Sequence, residues 1–301
     1  MKSVVMTGAT GAVGTALVRA CIEKGVRVLV LAREGSARNE NIPNHPLVEV
    51  RFCDLSELAA LQARDGERYD AFYHFAWAGT TGAARNDFYL QNQNVRYALD
   101  AVGAAKRLGC SVFVGAGSQA EYGRFEGALT PETPTYPENG YGIAKLCAGA
   151  MTREAAHAAG MRHVWMRILS VYGPFDGAGS MVMSTVSKLK AGVSPQFTKG
   201  EQLWDYLYSD DAAEAFFRAA ERGKDGKVYV LGSGKAIPLR RYVEMIRDAA
   251  APDFPLTFGE IPYAERQVMH LEADISALTA DTGFIPQYTF EAGIRALLKT
   301  L

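Results

Sequence analysis

The sequence predicts an α/β fold, in which a doubly wound parallel sheet with helices on both faces is followed by a smaller mixed α/β lobe. Short apolar runs alternate with amphipathic stretches of helical spacing through residues 1–170, as in a β-α-β succession. The apolar runs contain few polar residues, which is typical of parallel strands buried on both faces. The first run also ends in a glycine-rich turn that leads directly into a helical stretch.

Length, composition and charge exclude several classes of protein. The chain has 301 residues, 48% of them hydrophobic, and a formal net charge of -1. This length exceeds the about 100–200 residues of a typical domain and favours either one large domain with an appended part or two domains. The balanced charge argues against a nucleic-acid partner, which requires a basic surface. No apolar run approaches the roughly 18 residues of a membrane span and no export signal is seen, so we expect a cytoplasmic protein with no membrane partner.

The predicted elements follow one another in regular order through the first part of the chain. The three long helices are each followed directly by a glycine, a common helix terminator. The predicted strands are 3–7, 26–31, 47–52, 71–75, 111–115 and 163–169, and the predicted helices are 13–24, 85–108 and 141–159. The four cysteines form no C-x-x-C motif, which predicts reduced thiols.

Beyond Tyr172-Gly173-Pro174 the pattern becomes less regular. Short helices are predicted at 181–191, 210–222, 239–250 and 290–299. We expect a first domain over residues 1–170 and a smaller, partly interleaved lobe over 171–301, with about 205–223 returning to the first domain.

The glycine turn after the first strand predicts a dinucleotide site in a Rossmann-type domain. Glycines permit a tight turn and a close approach of the backbone to a pyrophosphate, which the N–H groups of the following helix bind. An ordinary tight turn is the alternative, but the position at the first β-α junction favours the cofactor. The predicted contacts at this turn are Gly8, Thr10, Gly11, Ala12, Val13 and Gly14.

The end of the second predicted strand favours NADP over NAD as the cofactor. An acidic residue there would bind the ribose hydroxyls of NAD, but this chain has Ala32 followed by Arg33. A guanidinium at this place pairs with a 2′-phosphate, unless Arg33 is only a solvated loop residue. Asp54, followed by Leu55 after the third strand, is expected beside the adenine or as the cap of the next helix.

Tyr141 and Lys145 form the most informative pair. Their i,i+4 spacing places both side chains on one face of a predicted helix. A cation beside a phenol lowers the pKa of the phenol and enables it to exchange a proton with a sugar hydroxyl or ketone. Ser118 follows the fifth strand, at the edge where open α/β sheets place their sites. Without Ser118 and the glycine turn, such a Tyr–Lys pair would be interpreted as two exposed residues on a helix surface.

These motifs together resemble the extended short-chain dehydrogenase/reductase superfamily, in its NAD-dependent epimerase/dehydratase branch of nucleotide-sugar enzymes. The resemblance covers nearly the whole chain. The matching elements are the 7–14 turn, His74-Phe75-Ala76-Trp77, Asn94, Ser118 before Tyr122-Gly123, Tyr141 with Lys145, Arg167 before Val171-Tyr172-Gly173-Pro174, Asp205-Tyr206 before Asp210-Asp211, and Thr282-Gly283-Phe284-Ile285-Pro286.

The resemblance implies roles for the matching residues. Tyr141 would be the acid/base, Lys145 would bind the nicotinamide ribose and tune Tyr141, and Ser118 would hydrogen-bond the reacting oxygen. Asn94 would support the backbone of the active site. Phe75, Ala76 and Trp77 join the cofactor contacts. The family also implies a homodimer through the helices near 85–108 and 141–159.

Departures from the family pattern concern the substrate. Family 4,6-dehydratases carry an Asp-Glu pair where this chain has Gln119-Ala120, so we expect no dehydration; Glu121 comes one residue too late. Ser170 and Trp204 replace an Asn and an Arg that contact the nucleotide diphosphate in the family. Arg266 resembles another diphosphate-binding Arg. The predicted substrate contacts are therefore Ser118, Gln119, Ser170, Trp204 and Arg266.

The reading that accommodates these features is an NAD(P)-dependent oxidoreductase of a nucleotide-activated sugar, of 4-ketoreductase or epimerase type. The alternative is a non-catalytic NADP(H)-binding sensor. Glu154 and His157 have the E-x-x-H spacing of two metal ligands, but no second copy exists, so no metal site is expected.

Overall fold

The chain forms thirteen strands and eight helices in a computed structural model that describes residues 1–301. The strands are β1 Ser3–Thr7, β2 Arg27–Ala32, β3 Val48–Phe52, β4 Ala71–His74, β5 Val112–Ser118, β6 Ala128–Leu129, β7 Arg162–Ile168, β8 Ser170–Tyr172, β9 Leu203–Trp204, β10 Tyr206–Tyr208, β11 Lys227–Leu231, β12 Ile237–Pro238 and β13 His270–Ala273. The helices are α1 Ala12–Glu23, α2 Phe88–Arg107, α3 Gly140–Ala158, α4 Met181–Lys190, α5 Ser209–Arg222, α6 Leu239–Ala250, α7 Ser276–Thr282 and α8 Phe290–Leu298.

The main sheet has seven strands in the order β11-β7-β5-β4-β1-β2-β3. Every neighbouring pair in it is parallel. From β1 the strand order runs outward in both directions, so β1 and β4 flank the switch point where open sheets of this kind bind ligands. Thr7 pairs with His74 at the carboxyl ends of these two strands.

Helices cover both faces of the sheet. Along β1, Val4 and Met6 pack into a core with α1 and α5, whereas Val5 packs into a second core with α2 and α3. All three side chains are fully buried, because alternate residues of a central strand face opposite layers. The predicted α/β class, with a Rossmann-type parallel sheet, is confirmed.

The smaller lobe has its own apolar core between α4, α6 and α8. Aromatic rings fill its centre: Tyr172 lies 4.8 Å from Phe290 and Tyr206 lies 5.0 Å from Tyr242, centroid to centroid. A four-stranded sheet of order β12-β9-β13-β6 and the parallel pair β10-β8 flank this core. The lobe is therefore mixed α/β, as predicted.

The structure differs from the predicted elements at several points, the short strands of the smaller lobe among them. Strand β11 and helix α7 were not predicted, and β11 extends the main sheet beside β7. Strand β5 continues to Ser118, so this serine ends the strand instead of following it. Helix α2 begins only at Phe88, because residues 82–86 form a 3-10 turn and the Asp87 side chain caps the helix at Leu90.

The chain returns to the main sheet after it has entered the lobe. Ala212 and Phe216 of α5 lie in the same core as α1, and β11 follows directly. The domain limits at residue 170 and at about 205–223 stay predictions. The homodimer expected through α2 and α3 also stays a prediction; Phe88, Tyr89, Ile143 and Met151 are the large apolar side chains exposed on these two helices. None of the eight helices has the length and apolar character that a membrane span requires.

Candidate active site

The predicted cofactor turn lies at the switch point, and its glycines serve two different purposes. Gly8 has φ +74°, and a Cβ there would lie 2.6 Å from the Ala76 nitrogen. A Cβ on Gly14 would lie 2.3 Å from the Gly8 oxygen, so these two positions pack backbone against backbone. Around Gly11 the nearest atom to a Cβ is 3.9 Å away. Gly11 also begins α1 without a side-chain cap, which leaves the helix N-terminus available to a phosphate.

Arg33 and Asp54, the two residues predicted near the adenosine of the cofactor, differ in how far their side chains are bound within the chain. Arg33 is exposed and forms no salt bridge; only its carbonyl is bound, by the Asn39 side chain at 2.9 Å. Asp54 accepts hydrogen bonds from the backbone N and the hydroxyl of Ser56 at 3.1 and 2.9 Å. Of the two roles left open for Asp54, the structure places it as the cap of the 3-10 turn that begins at Leu55.

Sequence reasoning missed Arg38, which joins the glycine turn to the loop after β8. One guanidinium nitrogen of Arg38 donates to the Thr10 carbonyl and to the Phe175 carbonyl, both at 3.1 Å. Phe175 has φ +65°, a strained conformation for a residue with a large side chain. No sequence pattern predicts this contact, because Thr10 and Phe175 are distant from Arg38 along the chain.

Two buried amides of α2 hold the loop that follows β4. Asn94 accepts from the Ala78 nitrogen and donates to the Ala78 carbonyl, each at 2.9 Å. Gln91, which sequence reasoning missed, donates to the Gly79 and Ala84 carbonyls at 2.8 and 2.9 Å. Gln91 also accepts from the indole nitrogen of Trp77 at 2.8 Å. The loop that carries Trp77 is therefore fixed by a complete set of hydrogen bonds.

Ser118, Tyr141 and Lys145 come together beside this loop. The Ser118 hydroxyl accepts from the Ala120 nitrogen at 3.2 Å and is near enough to the Tyr141 side chain to favour its ionised form. The Lys145 ammonium donates to the Ala116 carbonyl at 2.7 Å and lies 3.8 Å from the centroid of the Trp77 ring. The Tyr141 ring centroid is 5.8 Å from the same ammonium. Asn139 caps α3 by accepting from the Gly142 nitrogen at 2.8 Å, which fixes the first turn that carries Tyr141.

Burial dominates the electrostatics of this group. Burial lowers the pKa of Lys145 to about 7, although Glu121 opposes that effect. Burial also raises the pKa of Tyr141, whereas the nearby Ser118 hydroxyl and the charge of Arg85 act to lower it. Lys145 points to Ala116 and Trp77, and the guanidinium carbon of Arg85 lies 4.4 Å from the Tyr141 ring centroid. That Lys145 lowers the pKa of Tyr141 stays a prediction.

Glu121 lies directly behind Ser118 and is fully buried. Its carboxylate accepts from the Ser118 nitrogen at 2.7 Å, from the Trp165 indole at 3.0 Å and from Arg167 at 2.7 Å. A Cβ on Gly117 would lie 2.6 Å from this carboxylate, which explains the glycine there. The S-x-x-E spacing of a capping box was present in the sequence and was the available signal for this contact.

The predicted substrate residues fall into two groups. Gln119 and Arg266 line a cavity of about 210 Å³ beside Ser118, together with Arg85, Arg124 and Asn139. Ser170 and Trp204 instead contact each other, since the indole nitrogen donates to the serine hydroxyl at 2.8 Å. These two side chains are thus paired within the lobe and do not line that cavity.

A model of the NAD dependent epimerase/dehydratase family matches residues 4–232, which is most of the chain. The chain belongs to this family. The resemblance stated from the motifs is confirmed, and with it the expectation of an NAD-binding Rossmann fold.

Several proteins that are similar to this chain are named as enzymes of nucleotide sugars. UDP-glucose 4-epimerase of Azospirillum brasilense is 26% identical, over 97% of this chain and 89% of its own. dTDP-glucose 4,6-dehydratase of Haemophilus influenzae is 24% identical, over 99% of this chain and 97% of its own. A solved structure of UDP-N-acetylglucosamine 4-epimerase from Methanobrevibacter ruminantium, in complex with UDP-N-acetylmuramic acid, has a TM-score of 0.88 and 24% identity, and covers 99% of this chain and 97% of that one.

Proposed function

We propose that this chain is an NAD(P)-dependent oxidoreductase of a nucleotide-activated sugar, of the 4-ketoreductase or epimerase type. The observation that supports this most strongly is the convergence of Ser118, Tyr141 and Lys145 beside the glycine turn, at the carboxyl edge of the main sheet. Open α/β sheets bind their ligands at this edge. The alternative of a non-catalytic NADP(H)-binding sensor has no such observation in its favour.

The proposed chemistry assigns one task to each side chain. A bound nicotinamide supplies or accepts the hydride at a sugar carbon. Tyr141 then gives its phenol proton to the sugar oxygen during reduction, or takes the proton during oxidation. Ser118 hydrogen-bonds the same oxygen and orients it toward Tyr141. Lys145 binds the nicotinamide ribose and, where it is protonated, adds positive charge to the site.

The first prediction concerns Tyr141. Tyr141→Phe removes the exchangeable proton without removing the ring, so kcat should fall by about 10²–10⁴-fold while the affinity for the cofactor stays the same. Steady-state kinetics with a panel of UDP-, GDP-, CDP- and dTDP-sugars measures kcat, and calorimetry measures the cofactor. Tyr136→Phe is the matched control, because Tyr136 is 81% exposed.

Two outcomes would contradict this assignment. A Tyr141→Phe variant with the kcat of the wild type would show that another group moves the proton. Tight NADPH binding by the wild type, without hydride exchange with any nucleotide sugar, would instead support the sensor.

The second prediction concerns the choice of cofactor, for which we propose NADP(H) over NAD(H). The end of β2 carries Ala32, with no carboxylate to bind ribose hydroxyls, and Arg33 has no acidic partner within the chain. Arg33→Ala should weaken NADP(H) binding by about tenfold, the effect of one charged hydrogen bond, and leave NAD(H) binding unchanged. Arg27→Ala, at the exposed start of the same strand, is the control. Calorimetry that finds equal or tighter NAD(H) binding in the wild type would refute the preference.

The third prediction concerns Arg266, which we propose as the anchor of the substrate diphosphate. Arg266 lines the cavity beside Ser118, whereas Ser170 and Trp204 are occupied with each other. Arg266→Ala should raise KM by about 10–100-fold and leave kcat nearly constant, because it removes binding common to the ground and transition states. Arg124→Ala is the matched control, since Arg124 lines the same cavity but is bound to Glu138 through three hydrogen bonds. An unchanged KM for Arg266→Ala would place the anchor elsewhere.

The fourth prediction is that the chain does not catalyse 4,6-dehydration. Elimination of water across C5 and C6 needs a base and an acid in addition to Tyr141, and neither Gln119 nor Ala120 titrates. Glu121 is fully buried and already bound by three donors, so it is not free to serve. Incubation with dTDP- or GDP-hexoses should yield no product that has lost one water, as followed by mass spectrometry. Multi-turnover formation of a 4-keto-6-deoxy sugar would overturn this proposal.

A further inference from the structure

Arg85 is a cation at the site that has no acidic partner. Its guanidinium carbon lies 4.4 Å from the centroid of the Tyr141 ring. One of its nitrogens donates to the Thr80 carbonyl at 3.1 Å, and the side chain forms no salt bridge with any residue of the chain. The single acid that lines the neighbouring cavity is Glu138, which is already paired with Arg124. The positive charge of Arg85 is therefore not neutralised by a carboxylate where it faces the tyrosine ring and the cavity.

The position of Arg85 is imposed by the backbone around it. The Asn86 side chain accepts from the Gly140 nitrogen at 3.0 Å, which ties the 3-10 turn to the first residue of α3. A Cβ on Gly140 would lie 3.0 Å from the Arg85 carbonyl oxygen, so the two segments are in close contact. Gln91 holds the Ala84 carbonyl at 2.9 Å. Arg85 thus has fixed neighbours on both sides, next to the residue that precedes Tyr141.

Each element packed around Tyr141 contributes a charged or polar group, and their distances differ. From α3, the Lys145 ammonium is 5.8 Å from the ring centroid and is bound to the Ala116 carbonyl. From the end of β5 come the Ser118 hydroxyl and, behind it, the Glu121 carboxylate, which is bound to Arg167. The loop after β4 adds the neutral Trp77 ring at 6.2 Å. Arg85 is the nearest cation to the tyrosine ring.

We propose that Arg85 is a positioning residue for Tyr141, whose guanidinium stabilises the phenolate form that arises when Tyr141 gives up its proton. This inference rests on the proposed role of Tyr141 as acid/base. A cation over the face of a phenol is attracted to the ring and more strongly to the phenolate. A guanidinium keeps its charge over the whole working range of pH, whereas burial lowers the pKa of Lys145 to about 7 and leaves it increasingly neutral above that.

The direct test is the ionisation of Tyr141 measured without substrate. Protein labelled with ¹³C at the tyrosine Cζ is titrated by NMR from about pH 8 to about pH 11, and the signal of Tyr141 is assigned by its loss in Tyr141→Phe. In Arg85→Gln the phenolate fraction of Tyr141 at pH values well below its pKa should fall about tenfold, because the charge that favours the phenolate is gone. Arg85→Lys should restore most of the phenolate, and Arg124→Gln, in the same cavity, should leave it unchanged.

Turnover gives a second readout. The limb of the kcat–pH profile that reports the ionisation of Tyr141 should move to higher pH in Arg85→Gln, by the same amount as in the NMR titration. Arg85→Leu is a second neutral variant in case Arg85→Gln folds poorly, and far-ultraviolet circular dichroism checks the fold of each. An unchanged Tyr141 titration in a folded neutral variant would overturn this inference. An unchanged kcat in Tyr141→Phe would instead overturn the proposed function, so the two failures are distinguishable.

Discussion

The buried carboxylate of Glu121 is the interaction on which the catalytic edge of the sheet depends. It has no exposed surface and binds a backbone nitrogen, an indole and a guanidinium on three different residues. A buried ion pair is stable only where such additional hydrogen bonds compensate the loss of solvation, and removal of one partner typically costs ~3–5 kcal/mol. Because one of the three donors is the Ser118 nitrogen, the same carboxylate that binds β5 to β7 also fixes the serine that faces Tyr141.

Close packing around Trp165 supports this arrangement. The indole lies against three glycines, Gly115, Gly117 and Gly149, where an added Cβ would approach it to 2.2, 2.4 and 2.8 Å. These glycines allow the large ring to lie between β5 and α3 and to present its nitrogen to Glu121. Arg167, the other partner, lies 4.5 Å from the Tyr122 ring centroid. The helix that carries Tyr141 and the strand that carries Ser118 therefore meet at a distance set by one side chain.

Burial then sets the charges of the site. It lowers the pKa of Lys145 to about 7 and raises the pKa of Tyr141, in both cases because the charged form loses its solvation. In such a desolvated site, a few fixed charges decide which protonation states are populated. Glu121 favours the ammonium of Lys145, and Arg85 favours the phenolate of Tyr141. The site therefore differs from a simple Tyr–Lys pair, because each of the two side chains is influenced by its own charged neighbour.

Local patterns in the sequence predict much of the fold, but not the contacts that tune the site. The first strand, the glycine turn and the pairing of Tyr141 with Lys145 follow from periodicity and from spacing within one element. The role of Asp54 was equally local, since its cap is formed with the next residues along the chain. Arg85 contacts Tyr141 only because Gln91, Asn86 and Gly140 bring a distant loop onto α3. Strand β11 was missed for the same reason, because its short apolar run gains its identity from pairing with β7.

The measurement that tests the central claim most directly is isotope transfer from the cofactor to the sugar. The protein is incubated with NADPH deuterated at the transferring position of C4 and with nucleotide-linked 4-keto-6-deoxy sugars, and the products are analysed by mass spectrometry. The account predicts a reduced sugar nucleotide that carries the deuterium at C4 with the wild type, and formation of that product at least about a hundredfold slower with Tyr141→Phe. Deuterium that stays on the cofactor with every nucleotide sugar and ketosugar tested, despite tight cofactor binding, would contradict it.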